Sequence, residues 1–436
     1  MKKIGMYLFF SLMLTRVAAQ DLLTLDNAIK IALKNNYSIS ISKNDAQVAE
    51  NNATYGNAGA YPLTQIVAGE NFQNNAIHQQ YSTGAEVIRP SVKSYTTTAG
   101  AQLTWTIFQG FKMYATYDRL KELEKIGEAN LRMTIENNIA QVINAFYDIA
   151  QQKQQMKATN QNISLYEEKL EIARKKLEIG SSSKLDFLQA KVDLNAQKSK
   201  FLSLKISMVT AKATLNQLLA RPSDVDFDIE DTIVINYNPS IEELRKSALE
   251  QNTQLSIAEK NMQVANAVIR ENESLLYPTI YFTPGYNFSL VKNQAGLVLL
   301  NQGLGFNAGG NLVYNIFNGS YATRNIQNAK ISSYTSKLNY DFTKLQVETS
   351  VNKTFETFQN NLQLLKLEED NTAIVNENVY VAFERFKIGS SSGIELKQAQ
   401  QSLEDAQYRL INARFTTKLA ETELLRLNGS LYKLLK

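Results

Sequence analysis

Ala99-Gly100-Ala101-Gln102-Leu103-Thr104-Trp105-Thr106-Ile107-Phe108-Gln109-Gly110 reads against Ala308-Gly309-Gly310-Asn311-Leu312-Val313-Tyr314-Asn315-Ile316-Phe317-Asn318-Gly319, and this pairing decides the fold. The two stretches lie 209 residues apart. At the same offset Phe146 meets Phe355, and Ile179-Gly180-Ser181-Ser182-Ser183 meets Ile388-Gly389-Ser390-Ser391-Ser392. Ala190, Leu194, Leu215 and Leu218 then fall on Ala399, Leu403, Leu424 and Leu427, so about 120 residues align without a gap. Upstream, Ala32-Leu33 meets Ala248-Leu249 and Tyr61-Pro62 meets Tyr277-Pro278 at an offset of 216, which puts the length difference in loop regions 73–98 and 289–307. Register held over such a distance marks a duplication: the chain is two copies of one unit.

Each unit reads helix, strand, loop, strand, very long helix, turn, long helix. Residues 24–60 carry helical signals, with Thr24 as N-cap and no proline before Pro62. Strands are expected at about 62–72, 100–108, 278–289 and 309–317. Leu103, Trp105 and Ile107 alternate with Gln102, Thr104 and Thr106; Leu312, Tyr314 and Ile316 alternate with Asn311, Val313 and Asn315. Period two, with apolar residues on one face and amides or hydroxyls on the other, suits a strand that is dry outside and wet inside. From Gly110 to Gly180 there is no proline and only one internal glycine, Gly127; Gly319 to Gly389 has neither. Small and apolar residues then recur every seven, Ala399, Ala406, Ala413, Ala420 and Leu427 in the second copy, interleaved with Leu403, Leu410 and Leu424. That is a coiled-coil seam with close approach. The expected fold is mostly α with a small β part, each unit being a long antiparallel helical hairpin mounted on a β-hairpin.

The first twenty residues read as a signal peptide: basic Lys2 and Lys3, an apolar run Ile4–Leu14, and small residues at Val17-Ala18-Ala19. The domain reading is then 1–20 signal peptide, 21–220 first repeat, 221–240 linker with strand-like Ile233-Val234-Ile235, 241–429 second repeat, and 430–436 tail. Composition narrows the function. With no Cys and one His, cysteine-ligated zinc, iron–sulfur clusters, a thiol nucleophile and a His-based metal site are excluded. Lys+Arg 46 against Asp+Glu 42 gives no nucleic-acid footprint. No phosphate-cradling loop or nucleophile–base pair appears, so neither an enzyme nor a cofactor is expected. His78, in the expected loop 73–98, is assigned no role.

Four strands cannot close a barrel, and lipid does not tolerate an open sheet edge. Eight strands leave an interior filled by side chains, whereas twelve leave room for a channel. Three chains would supply twelve strands and twelve long helices. A periplasmic coiled-coil scaffold without a pore is the alternative, but it has no reason to carry four amphipathic strands at repeat-matched positions.

These residues resemble the TolC-like outer-membrane efflux proteins, in the non-lipidated branch, over nearly the whole mature chain. The resemblance is carried by the duplication, by Leu23-Thr24-Leu25-Asp26-Asn27-Ala28-Ile29 with Ala32-Leu33-Lys34-Asn35-Asn36, and by the hairpin tips Arg174-Lys175-Lys176-Leu177-Glu178-Ile179-Gly180 and Phe383-Glu384-Arg385-Phe386-Lys387-Ile388-Gly389. It implies a homotrimer, with a 12-strand barrel in outer-membrane lipid continued by a 12-helix periplasmic α-barrel. It also implies an equatorial girdle, here about 21–45, 221–240 and 429–436. The partners implied are a periplasmic adaptor and, through it, an inner-membrane transporter; small-molecule efflux and type I protein secretion share such a duct. Gly180, Ser181, Gly389 and Ser390 would be the adaptor-docking tips. Asp186 and Glu395 follow as capping residues of S-x-x-[D/E] boxes, and the resemblance gives them a second role as an acidic ring at the entrance. Ser391 stands where relatives carry a gating Arg, and Gln398 where a second acidic residue occurs; Lys184 and Arg385 are the substitutes as gate partners. Trp105 and Tyr314 are candidates for an aromatic girdle.

Overall fold

In a computed structural model, residues 22–432 are described; the signal-peptide reading and the end of the tail lie outside them. Eight helices are found there: α1 (Leu25–Asn35), α2 (Tyr37–Asn52), α3 (Lys112–Glu178), α4 (Lys184–Leu218), α5 (Ile241–Gln251), α6 (Thr253–Glu273), α7 (Tyr321–Lys387) and α8 (Gly393–Leu427). Six strands accompany them: β1 (Leu63–Gln80), β2 (Glu86–Gln109), β3 (Thr279–Phe282), β4 (Gly285–Asn293), β5 (Leu300–Asn307) and β6 (Gly310–Val313). The chain divides into two compact units. One holds the residues up to Ser40, Thr134–Asn252 and those from Val347 onward; the other holds Ile41–Met133 and Thr253–Gln346.

In the first unit the long helices pack through the expected seam. Ala399, Leu403, Ala406, Ala413, Ala420, Leu424 and Leu427 of α8 are buried, as are Ala190, Leu194, Ala211 and Leu215 of α4. α3 and α7 each run 67 residues, about 100 Å of unbroken helix at 1.5 Å per residue. The main core gathers Ala28, Ile29 and Ala32 of α1, Ile139–Ala150 of α3, Leu215 of α4, Phe227, Ile229 and Ile233 of the linker, and Leu431. The linker is not a strand at Ile233-Val234-Ile235. Among the described residues its only ladder contact is an isolated parallel bridge between Leu22 and Asp228. Its carbonyls are taken instead by side chains: Lys153 Nζ donates to Ile229 O at 2.7 Å and Lys418 Nζ to Val234 O at 3.0 Å. Apolar alternation here buries Ile229 and Ile233 in a helical core without needing a neighbouring strand.

The helix expected over 24–60 is broken at Asn36 and stops at Asn52. Asn36 Oδ1 accepts from the N–H of Ser38 at 2.8 Å and of Ile39 at 3.3 Å, while its Nδ2 donates to Leu218 O at 2.9 Å. A side chain that caps the following turn competes with continuous helix. The second repeat reproduces the device: Asn252 lies between α5 and α6 and donates to Leu427 O at 3.0 Å.

In the second unit the strands form one antiparallel sheet, with β1 and β4 on opposite edges of β2 over its middle, β3 on β2 near its end, β5 on β4 and β6 on β3. The strands differ from the expected bounds. The first hairpin runs on through most of the expected loop 73–98, so that His78 stands in β1 opposite Ile88 and its ring meets the carboxylate of Glu86. The expected strand at 278–289 is split at Thr283-Pro284; that at 309–317 is reduced to β6 and ends at Val313, while β5 forms within the expected loop 289–307. Proline has no N–H for a ladder. Polar runs such as Gln73-Asn74-Asn75 hid the extension, because alternation is legible only where one face is apolar.

Two faces follow from the register. Ile66, Ala101, Tyr286 and Phe306 share one row, and Ala68, Ala99, Phe288 and Leu304 the next on the same face. Gln65, Gln102, Gly285 and Asn307 share a row on the opposite face, followed by Val67, Gly100, Asn287 and Gly305 and then by Gly69, Thr98, Ser289 and Gly303. The large apolar side chains Ile66, Phe306 and Leu304 are exposed.

Candidate functional site

The turns between the long helices belong to the first unit and are built alike. α3 ends in a Schellman motif: Ser181 N–H donates to Lys176 O at 2.8 Å and Gly180 N–H to Leu177 O at 3.0 Å. α7 ends the same way, with Ser390 N–H on Arg385 O at 2.9 Å and Gly389 N–H on Phe386 O at 3.2 Å. Gly180 and Gly389 have φ of 74° and 80°, which a side chain would disfavour. Both serine hydroxyls then return to the same carbonyls, Lys176 O and Arg385 O, at 3.2 Å.

The return helices differ. Ser183 and Asp186 make a complete capping box at the start of α4. Asp186 also accepts from the Ser182 hydroxyl at 2.8 Å, and the hydrogen bonds from Ser183 and Ser182 hold its carboxyl below the usual range. At α8, Ser392 caps Glu395 N–H at 3.3 Å, but the reciprocal half is missing; the expected second box is only half formed. Glu395 turns toward Arg385, 3.9 Å away. Arg385 also donates to Ser390 O at 3.4 Å. Lys184 is exposed in the first turn of α4.

The hydroxyl of Ser391 is buried without a hydrogen-bond partner among the described residues, and Gln398 is exposed. The two hairpins are tied by other groups. Lys176 Nζ donates to Phe386 O at 2.5 Å and stands 4.2 Å from the Phe386 ring centroid. Lys387 bridges to Glu168 at 3.2 Å. Deeper in, Asp193 of α4 receives Lys169 of α3 at 3.2 Å and Lys397 of α8 at 2.9 Å. The Lys169 and Asp193 side chains are only 4% and 7% exposed. Burial works to raise the Asp193 pKa, but hydrogen bonds from Lys397 and Gln189 and the Lys169 charge outweigh it and the net shift is downward. Burial also pushes the Lys169 ammonium down.

A cleft of about 610 Å³ lies between the tips, lined among others by Lys176, Asp186, Phe386, Lys387 and Ile394. Ile179 and Ile388, just before each glycine, are 78% and 79% exposed, and Leu185 and Ile394 are nearly as open. Sequence reasoning missed these four apolar side chains. The Ile-Gly repeat was the available signal, and it was read only for its glycine. Trp105 lies in β2 opposite Phe282, and its indole donates to Ala60 O at 3.0 Å. Tyr314 is not in a strand: it falls one residue past β6, where nothing pairs on the outer side among the described residues. No group of three metal-ligating side chains is found among the described residues. No described helix is long and apolar enough to cross a membrane.

The duplicated helical hairpins with their glycine-capped tips, and the two-faced sheet, are the features that the sequence resemblance led one to expect. The sequence model of the family described as outer membrane efflux protein matches residues 28–221 and again 244–430, so the chain belongs to that family. The two matches begin 216 and end 209 residues apart, the offsets of the internal repeat. The chain is 21% identical to the outer membrane efflux protein BepC of Brucella suis, over 93% of its own length and 85% of that protein's. Its fold is similar to the outer-membrane channel OprN (TM-score 0.79, 15% identity, 93% and 90% of the two chains). It is also similar to the CmeC outer membrane channel of Campylobacter jejuni (TM-score 0.79, 17% identity, 93% and 85%). The protein is thus an outer-membrane efflux protein of TolC-like fold, located in the outer membrane and reaching into the periplasm.

Proposed function

We propose that three copies close a 12-strand β-barrel in the outer membrane, continued by a 12-helix periplasmic α-barrel. The assembly is a gated tube that conducts cargo passively. A periplasmic adaptor links it to an inner-membrane transporter, and the duct performs no chemistry on what passes. The observation that carries this reading is the sheet: large apolar side chains such as Ile66, Tyr286, Phe288, Leu304 and Phe306 gather on one face, the other is mostly amides, hydroxyls and glycines, and neither outer edge has a described partner. A sheet edge of that kind is stable in lipid only when closed.

The tips Gly180-Ser181 and Gly389-Ser390 are the adaptor-docking points, with Ile179, Leu185, Ile388 and Ile394 as the apolar contacts. Glu395, held only at 3.9 Å by Arg385, is the main member of the acidic entrance ring. Asp186 belongs to it secondarily, because its oxygens are already engaged as a cap. Lys184 and Arg385 are the gate's cationic partners, and Trp105 and Tyr314 contribute to an aromatic belt. The test is the protein mass of the detergent-extracted particle, followed by conductance in planar bilayers. A particle of three chains that conducts ions is the expected result; a soluble monomer or dimer overturns the reading and favours the pore-free scaffold.

A further inference from the structure

Charge is distributed over the sheet in the opposite sense to polarity. The polar face takes alternate residues from Gln65 to Asn75 of β1, Val92 to Gln102 of β2, Gly285 to Asn293 of β4 and Asn301 to Asn307 of β5, and it holds no Asp, Glu, Lys or Arg. The apolar face of the same strands holds Glu70, Lys93 and Lys292. Lys93 lies opposite Asn74, one row beyond the pair Phe72 and Tyr95, and Lys292 lies between Tyr95 and Leu300. Both lysines are exposed. Side chains of this kind need a reason to stand on the side that meets lipid, where a cation at mid-depth is costly.

Their depth follows from the strand. Trp105 and Tyr95 lie on the same face of β2, ten residues apart, which is about 33 Å of strand. A tilt of about 40° turns this into about 25 Å of height, the extent of the apolar band of a membrane barrel. Tyr95 packs on Phe72 with ring centroids 4.9 Å apart. Trp105 therefore marks the boundary next to α3, and the Phe72–Tyr95 pair marks the opposite one. With the helices reaching into the periplasm, Lys292 and Lys93 stand at the headgroups of the outer leaflet.

Two ordinary explanations fail. Lysines blunt exposed sheet edges, but β2 and β4 are interior strands. Local pairing fails too, because neither ammonium has a carboxylate partner among the described residues. Strand spacing keeps Glu70 about 12 Å or more from both. As diagonal neighbours, Lys93 and Lys292 have Cβ atoms about 7 Å apart, from which two flexible stems converge on one phosphate. The backbone beneath them is pinned: the Lys93 N–H donates to Gln294 Oε1 at 3.3 Å, the Gln294 N–H returns to Lys93 O at 2.9 Å, and Ser94 Oγ donates to Asn293 Oδ1 at 2.7 Å.

We propose that Lys93 and Lys292 hold a phosphate of the phosphorylated, acylated glycolipid of the outer leaflet, one site per chain. Its acyl chains run along Leu290, Phe288 and Leu304, the apolar residues on the same face toward α3. This rests on the membrane barrel proposed above and adds a specific lipid to it.

The full-length, detergent-extracted particle is titrated with lipid A, with lipid A stripped of its phosphates, and with phosphatidylglycerol, and bound lipid is counted by native mass spectrometry. The expected result is about 30-fold tighter binding of lipid A than of the stripped form, about fivefold for each lysine. Lys93→Gln with Lys292→Gln removes that preference, and each single change removes about fivefold of it. Lys93→Arg with Lys292→Arg keeps it, as does Lys330→Gln with Lys337→Gln at exposed positions of α7, which removes the same charge elsewhere. Equal binding of both forms of lipid A by the unaltered chain overturns the inference. So does a preference that survives the double change to Gln, or one lost in the α7 variant. Phosphatidylglycerol bound as tightly as lipid A overturns the assignment to the glycolipid. Particle mass is read from the same spectra. Three chains without the preference leave the duct reading standing and remove the lipid site; a soluble particle of one chain removes both.

Discussion

Asp193 is the residue on which the tip region turns, because it is the one carboxylate shared by Lys169 of α3 and Lys397 of α8. Asp193→Asn leaves the Lys169 ammonium buried without its counter-charge, at a cost of about 3 kcal/mol. Hydrogen exchange should accelerate around 165–195 and 396–400 in that variant, while the double change Asp193→Leu with Lys169→Met restores much of the protection. The pH dependence has a definite sign. Asp193 and Asp186 are both held below the ordinary carboxylate value. Their contribution is complete above about pH 4, the unfolded value, and disappears as pH falls through the lowered folded values. Acid titration followed by tip-helix exchange should show protection lost only below that point. None of this was legible beforehand. Asp193 and Lys397 are 204 residues apart in sequence, and each alone looks like a solvated charge on an amphipathic helix.

At the scale of elements, the glycines at the tips and the single glycine inside the first long helix do different jobs. Gly180 and Gly389 take positive φ and stop a helix. Gly127 continues one: a Cβ there would meet Ala49 Cβ at 3.0 Å and Ala46 Cα at 3.3 Å, so its absence lets α2 lie close on α3. Gly127→Val should push the two helices apart and cost about 1–3 kcal/mol, seen as a lower midpoint for the melting of α2. Asn252→Ala should cost about 1 kcal/mol or more by withdrawing a buried donor from Leu427 O, with faster exchange at the end of α8. Helix extents were readable because proline and glycine punctuate them. The Asn36 break was not, since an asparagine acts as a cap only when the chain around it turns. Strand extents were under-read for another reason: amides and charges interrupt the apolar alternation in the outer parts of β1 and β2, for example Gln73 and Asn74 opposite Ser94 and Lys93.

At the scale of the whole molecule, charge at the entrance should govern conduction. Glu395→Gln removes the less engaged of the two tip carboxylates, since Asp186 accepts three local hydrogen bonds. The channel should then be less cation-selective, read as a reversal potential moving toward zero in a salt gradient, with the particle's mass unchanged. An unaltered reversal potential would confine Glu395 to its half-formed helix cap. The mass of the extracted particle belongs to the same scale: with β3–β4 and β5–β6 each counted as one interrupted strand, the chain offers four strands and an open edge at each side, and three copies would give a pore wide enough to conduct.

The sequence by itself determined the duplication, the long helical hairpins, their glycine turns and the two-faced strands. Each is a local or periodic property: heptads, alternation and punctuation act on neighbours within a few residues, and the repeat is visible without coordinates. Only the tertiary structure decided which charges meet, that the linker is a carbonyl-lined coil covering the core, that the sheet runs far into the expected loop, and that Ile179 and Ile388 stand exposed at the tips. Those outcomes depend on pairs of residues hundreds of positions apart, brought together by packing. Hydrogen bonding and burial are settled by what arrives on the other side, and a linear chain does not carry that information at any one position.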